Sequence, residues 1–266
     1  MKKLFSALIA ISVIAFSAST SYAQNEINML FWQPGGQGST EEAAPILNQL
    51  FSKLSAKTGI TISGQYSNDL GEGLLLIKNK KINVAIVPVD ILDNKRINTP
   101  YRIILSTQPL GTRKSFEQYS LYSNKQTAIN QIKTLYTTTE FQGDYVKNNI
   151  LGSIQDQLDK DLKIIPSTET FAQLKKISMQ NIQTDEGVLL NSFETASLSK
   201  TKLDFIKNLI KLFTSPPTKP PQVVSFELSE GFENKIRNGL LELSKEPETK
   251  QIIEELRLEG FAETAQ

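Results

Sequence analysis

Short apolar runs alternate with amphipathic segments along the first hundred residues of this chain. The runs at 27–32, 60–66 and 82–87 have the composition of buried strands, whereas 39–58 and 69–80 carry apolar residues at helical spacing. A β-α-β-α-β order predicts a parallel sheet with right-handed crossovers. The alternation therefore restricts the chain to an α/β fold.

The rest of the chain continues the scheme. The predicted strands are 101–106, 116–122, 133–136, 162–165, 187–190, 209–213 and 223–226. The predicted helices are 127–131, 143–151, 167–179, 230–243 and 247–258. The Pro-rich segment 215–221 lies between two apolar strands, which favours a rigid crossing between lobes over a disordered linker.

The N-terminal segment has the three parts of a secretory signal. Lys2 and Lys3 precede an apolar run over 4–18, and small residues at positions 21 and 23 predict cleavage between Ala23 and Gln24. The run is shorter than the ~20 residues of a membrane span, so a signal peptide over 1–23 is favoured over an anchor. Its removal leaves 27 basic and 28 acidic residues. A secreted protein rich in lysine and asparagine indicates the bacterial periplasm.

The sequence contains no histidine and no cysteine. These absences exclude disulfides, a lipid anchor on a cysteine, Cys/His metal sites and the nucleophile–histidine arrangements of many hydrolases. The near-zero net charge of +1 argues against a nucleic-acid partner, which usually requires a basic excess. We therefore expect no cofactor, no metal and no catalytic residues.

Three parts of the mature chain resemble the substrate-binding proteins of phosphonate-type ABC importers, a family of type II periplasmic solute-binding proteins. One is the opening strand with its Pro/Gly loop and the helix that leads to the Thr-Gly-Ile strand start. The second is an acidic turn followed by an aliphatic strand. The third is a series of short motifs that follow one another in the C-terminal quarter. The segments that carry the resemblance are 27–38, 58–60, 185–189, 215–217, 228–230 and 259–261, with Leu241 and Pro247.

The resemblance implies a two-lobed type II periplasmic-binding-protein fold with mainly parallel sheets and a hinge cleft. Lobe 1 would comprise 24–110 and the return at 196–266, and lobe 2 would comprise 111–195. Such a protein would be a monomer that captures a small polar or anionic ligand and delivers it to an ABC permease at the inner membrane.

Residues that directly follow strands are the candidates for ligand contact, because open parallel sheets bind ligands at the carboxyl ends of their strands. These candidates are Trp32, Gln33, Gly35, Tyr66, Ser67, Asn68, Pro88, Asp90, Thr137, Thr138, Thr139, Phe141, Ser167 and Asn191. The three threonines correspond to an anion-binding turn of the phosphonate-binding proteins. Here they are followed by Glu140, whose carboxylate would repel a phosphonate.

Two other functions fit the same sequence. A periplasmic domain of this kind could sense its ligand for a membrane signalling partner. A hydrolase that uses only carboxylates is the more distant alternative, because no spacing of acidic residues identifies a catalytic pair.

Overall fold

The structure is a computed structural model that describes residues 26–36, 38–112, 114–137, 143–180, 182–201 and 203–264. The predicted signal peptide lies outside the described residues. No helix in the described ranges is both long enough and apolar enough to cross a membrane.

The first lobe is built on a six-stranded sheet with the order β11-β4-β10-β3-β1-β2. Its strands are β1 (Glu26–Trp32), β2 (Thr61–Ser67), β3 (Val84–Val87), β4 (Arg102–Pro109), β10 (Gln222–Ser225) and β11 (Leu258–Ala262). β1 pairs in parallel with β2 and β3, whereas β10 and β11 run antiparallel to their neighbours.

The second lobe is built on a five-stranded sheet with the order β7-β6-β8-β5-β9. Its strands are β5 (Ser120–Asn124), β6 (Thr134–Thr137), β7 (Lys163–Pro166), β8 (Glu186–Leu190) and β9 (Leu209–Thr214). β6 pairs in parallel with β7 and β8, and β5 pairs antiparallel with β8 and β9. The two-lobed α/β architecture is thus confirmed, but both sheets are mixed where mainly parallel sheets were predicted.

Helices cover both sheets. They are α1 (Thr40–Thr58), α2 (Leu70–Lys78), α3 (Val89–Asp93), α4 (Gly143–Tyr145, continued by a π-helical turn over Val146–Ile150), α5 (Thr170–Ser178), α6 (Ser192–Lys200), α7 (Glu230–Leu243) and α8 (Pro247–Glu255). α1 starts at the predicted position, where Ser39 and Glu42 form a capping box, and ends at Gly59 with a φ of 69°.

The position of β1 between β3 and β2, with hydrophobic clusters on both faces, explains why its sequence is apolar at almost every position. Ile27, Met29 and Phe31 join the cluster under α1, α7 and α8, while Leu30 and Trp32 join a cluster on the opposite face. A central strand covered by helices on both faces buries every side chain.

Two chain segments cross between the lobes, one after β4 and one after β9. Glu117 and Thr218 exchange backbone hydrogen bonds of 2.9 Å in both directions, and the backbone N–H of Ser215 donates to the carbonyl of Tyr119 at 2.8 Å. We call these four residues the hinge clasp. The clasp joins the two crossings side by side at the point where the lobes meet.

Several features differ from the sequence predictions, which did not include helices α3 and α6. The second sheet extends through β9, so the chain returns to lobe 1 after Thr214 and not at 196, because β9 pairs with β5. The strand predicted at 116–122 begins only at Ser120, since its first residues form the hinge clasp. The last predicted helix ends at Glu255, and Leu258–Ala262 forms β11, a strand that was not predicted.

Candidate functional site

A cavity lies between the lobes beside the hinge clasp, and we call it the interlobe cavity. Lobe 1 contributes residues from the ends of β1 and β3, from α3 and from the turn between α8 and β11. Lobe 2 and the crossings contribute Glu117, Tyr119, Asn191 and Phe193. The cavity has a volume of about 120 Å³, which is room for several water molecules or one small solute.

Trp32 forms part of the cavity wall but is mainly a core residue. Its side chain is 1% exposed, and its indole N–H donates to the carbonyl of Asp69 at 3.0 Å. The ring packs so closely on Gly73 of α2 that a Cβ atom there would lie 2.1 Å from Trp32 Cε2. Gly73 is therefore required for the indole to occupy its position beside the cavity.

The loop after β1 is held in place by the residue after β2. The backbone N–H of Gly35 donates to the carbonyl of Asn68 at 3.0 Å, and the Asn68 side-chain amide donates to the carbonyls of Gly36 and Gly38. Gly35 has a φ of 68°, which glycine adopts without strain. This network positions Gln33, which lines the cavity.

Asp90 projects from the short helix α3 into the interlobe cavity and is 4% exposed. Burial raises the pKa of its carboxyl from 3.8 to about 6, and the backbone amide of Ile91 and the charge of Arg96 only partly oppose this rise. Asp90 forms no ion pair with any described residue. Within the described ranges, its carboxylate therefore lies in the cavity wall without a counter-ion.

Glu117 connects the hinge clasp to the start of α6. Its Oε1 atom accepts the backbone N–H of Ser192 at 2.9 Å and that of Gln118 at 3.0 Å. Burial raises the pKa of this carboxyl, and the hydrogen bonds from Ser192 oppose the rise. Asn191 caps the same helix by accepting the backbone N–H of Glu194 at 2.9 Å. The crossing segment and the lobe 2 wall are thus fixed to each other.

An arginine of lobe 1 contacts an aromatic ring of lobe 2 at the edge of the cavity. The Arg257 guanidinium carbon lies 5.2 Å from the centre of the Phe193 ring, within the range of a cation–π interaction. Arg257 has a φ of 61°, which is unfavourable for a residue with a side chain. It also lines a neighbouring groove beside the cavity, with Tyr66.

The structure brings five of the predicted site residues to the interlobe cavity. These are Trp32, Gln33, Pro88, Asp90 and Asn191. Whether they contact a ligand stays a prediction.

The other predicted residues lie elsewhere. Tyr66 stacks on Phe31 and faces the neighbouring groove. Ser67 is fully buried and donates to Glu72 at 2.5 Å. Gly35 and Asn68 support the loop after β1, as described above, and Ser167 accepts the backbone N–H of Glu169 at the start of α5.

The threonine turn is described only at its first residue. Thr137 is 1% exposed at the end of β6 and does not line the interlobe cavity. Thr138, Thr139, Glu140 and Phe141 lie outside the described residues.

The cavity residues that were not among the predicted site residues include Glu117, Tyr119, Phe193 and Arg257. Glu117 and Tyr119 were assigned to a strand, Phe193 to no element, and Arg257 to the interior of the last predicted helix. A signal for Glu117 was present, because a glutamate is unusual in the interior of a strand.

The lining of the cavity provides groups that suit the binding of a small molecule. No cluster of His, Cys, Asp or Glu among the described residues could hold a metal ion. The two carboxylates of the cavity, Asp90 and Glu117, have different surroundings. Only Glu117 accepts a backbone N–H at the start of α6. Apolar and aromatic walls with a few placed polar groups are typical of a small-molecule site.

No protein-family model matches the chain, and no curated protein matches it either. Solved structures do match. A binding protein component of an ABC phosphonate transporter from Pseudomonas aeruginosa aligns with a TM-score of 0.62 at 14% identity, covering 90% of this chain and 81% of that one.

Two further structures have higher TM-scores. A Prochlorococcus marinus protein in complex with methylphosphonate, PhnD1, aligns with a TM-score of 0.65 at 13% identity, covering 91% of this chain and 93% of that one. A Xanthomonas citri protein bound to ATP aligns with a TM-score of 0.68 at 9% identity, covering 91% and 92%. The fold is therefore that of the two-lobed periplasmic binding proteins, as the sequence resemblance predicted.

Proposed function

We propose that this chain is a periplasmic solute-binding protein that encloses a small ligand in the interlobe cavity and delivers it to an ABC importer. The observation that carries the proposal is the position of the cavity, which has walls from both lobes and lies beside the two crossings. A ligand that touches both lobes binds the closed arrangement more tightly and shifts the population toward it. The binding-protein component from P. aeruginosa, which has this fold, supports a role in transport.

The lobes also contact each other through side chains outside the cavity. Val89 of α3 is 7% exposed and belongs to the hydrophobic cluster of lobe 2, with Tyr119 and Tyr145. Lobe closure would form such contacts, so they support a closed arrangement as the form that an importer would recognise. The ligand would then add its own contacts to a surface that is already complementary.

A thermal-shift screen tests the binding role, because a ligand of the folded state raises the melting temperature by mass action. We expect one class among amines, amino acids, phosphonates, phosphate, sulfonates and osmolytes to raise it. Phe193→Ala, which removes a cavity wall of lobe 2, should abolish the shift. Phe205→Ala is the matched control, since Phe205 is a partly buried residue of lobe 2 in a cluster away from the cavity.

Uptake measurements test the transport role. Deletion of the gene should reduce uptake of the labelled compound found in the screen, and complementation should restore it. Normal uptake in the deletion strain, together with loss of a transcriptional response to the compound, would instead support the sensing module.

A further inference from the structure

The charged groups of the interlobe cavity indicate the class of ligand. Its wall contains two carboxylates, Asp90 and Glu117, and one guanidinium, that of Arg257. The carboxylates are 4% and 8% exposed, whereas Arg257 is half-buried at the boundary with the neighbouring groove. The enclosed part of the wall is therefore acidic.

The two carboxylates are not equivalent. Glu117 accepts two backbone N–H groups and so serves the hinge clasp and α6. Asp90 faces the cavity with no ion pair among the described residues. A buried carboxylate without a counter-ion is costly, and a positive group inside the cavity would remove that cost.

The other ionisable groups near Asp90 do not supply this positive group. Arg96 acts on the Asp90 carboxyl only at longer range, and Asp93 has the opposite effect. Tyr119 and Tyr145 approach from lobe 2, and the charge of Asp90 contributes to raising the pKa of both phenols. Both phenols are therefore neutral near neutral pH, and the cation position beside Asp90 is left to a ligand.

The aromatic rings of the wall also favour a positive ligand. Phe31, Trp32, Tyr119 and Phe193 all line the cavity, and ring faces attract ammonium groups. The contact between Arg257 and Phe193 already shows one of these rings beside a cation.

Resting on the proposed function, we propose that the ligand carries an ammonium group on a compact apolar body, with Asp90 as its counter-ion and the aromatic rings around it. A phosphonate anion would meet two buried carboxylates in the same cavity, which disfavours it electrostatically. We therefore do not expect this protein to bind phosphonates, the class of the methylphosphonate in the P. marinus structure. An ammonium could belong to a simple amine or to a zwitterion whose carboxylate reaches Arg257.

Isothermal titration of the purified protein at pH 8 with four probes that share one apolar body tests this proposal. The probes are tert-butylammonium, tert-butanol, tert-butylphosphonate and tert-leucine. We expect the two ammonium compounds to bind at least about tenfold more tightly than the alcohol, because hydrogen bonds to charged groups are the stronger ones. The phosphonate should not bind measurably.

Two aspartates of α3 provide the matched variants. Asp90→Asn should weaken binding of both ammonium compounds by about tenfold or more, while Asp93→Asn, an exposed position on the same helix, should leave binding unchanged. Arg257→Gln should weaken only tert-leucine if the ligand is a zwitterion, and neither compound if it is a simple amine.

The outcomes separate this proposal from the proposed function. Tight binding of the phosphonate with none of the amines would overturn the ammonium inference and leave the solute-binding role intact. Equal binding to wild type and Asp90→Asn would also overturn it. Failure of every probe here and of every class in the thermal-shift screen would overturn both proposals.

Discussion

The close contact between Gly73 and Trp32 predicts that one added methyl group at position 73 destabilises the protein. In Gly73→Ala the new Cβ would lie 2.1 Å from Trp32 Cε2 and 2.3 Å from Nε1, so helix and indole must separate by about 1 Å or more to reach normal contact. Overpacking costs about 1–3 kcal/mol, and a similar cost follows if the indole N–H loses the Asp69 carbonyl. The higher helix propensity of alanine offsets at most about 1 kcal/mol of this loss of stability.

We therefore expect Gly73→Ala to lower the free energy of unfolding by about 3 kcal/mol. Gly71→Ala is the control, because Gly71 is exposed in the same helix and its nearest new contact would be Asp69 Oδ1 at 3.3 Å. Urea unfolding followed by fluorescence is a direct assay, since Trp32 is the only tryptophan. The native emission of Gly73→Ala should also shift to longer wavelength. Equal stability of the two variants would refute the packing argument.

Three further predictions concern the charged groups of the cavity. Asp90→Asn should raise the free energy of unfolding by up to about 3 kcal/mol at pH 8, because a carboxyl with a pKa of 3.8 unfolded and about 6 folded holds its proton more tightly when folded. This gain should shrink as pH falls through 6 and vanish below 4, as measured by urea unfolding. Binding of tert-butylammonium to the wild type should weaken as pH falls below about 6, since protonation removes the counter-ion, and calorimetry across that range would detect it. Glu117→Gln, which keeps an acceptor for Ser192 and Gln118, should be at least as stable as wild type at pH 7. Glu117→Ala should lose about 2 kcal/mol or more by leaving two backbone N–H groups without an acceptor, and thermal denaturation of the pair would compare them.

Local sequence signals predicted most of the fold. The capping residues at Ser39 and Glu42, the stop at Gly59 and the proline at position 247 fix helix boundaries through short-range hydrogen bonds and backbone sterics, which a sequence displays directly. β11 was missed because Leu258–Ala262 becomes a strand only by pairing with β4, a partner about 150 residues away in the chain. The antiparallel direction of β5, β9 and β10 was not predicted for the same reason, since strand direction is set by long-range pairing.

The candidate site was predictable only in part. The rule that ligands lie at the ends of parallel strands led to Trp32, Pro88 and Asp90, which do lie at the cavity. Glu117 and Arg257 lie on a crossing and in a turn, where no periodic pattern indicates the direction of a side chain. Their positions depend on how the two lobes meet.

The place of β10 within the first sheet has a consequence for the order in which the protein can form during synthesis. β10 stands between β3 and β4, yet the ribosome makes it only after every strand of the second sheet. β3 and β4 therefore have no common neighbour until residue 222 has emerged, whereas the segment 120–214 already contains all five strands of its own sheet. Although lobe 1 begins first, lobe 2 can finish first. Nascent chains that end before Gln222 should show protease protection in lobe 2 while the first sheet is still open.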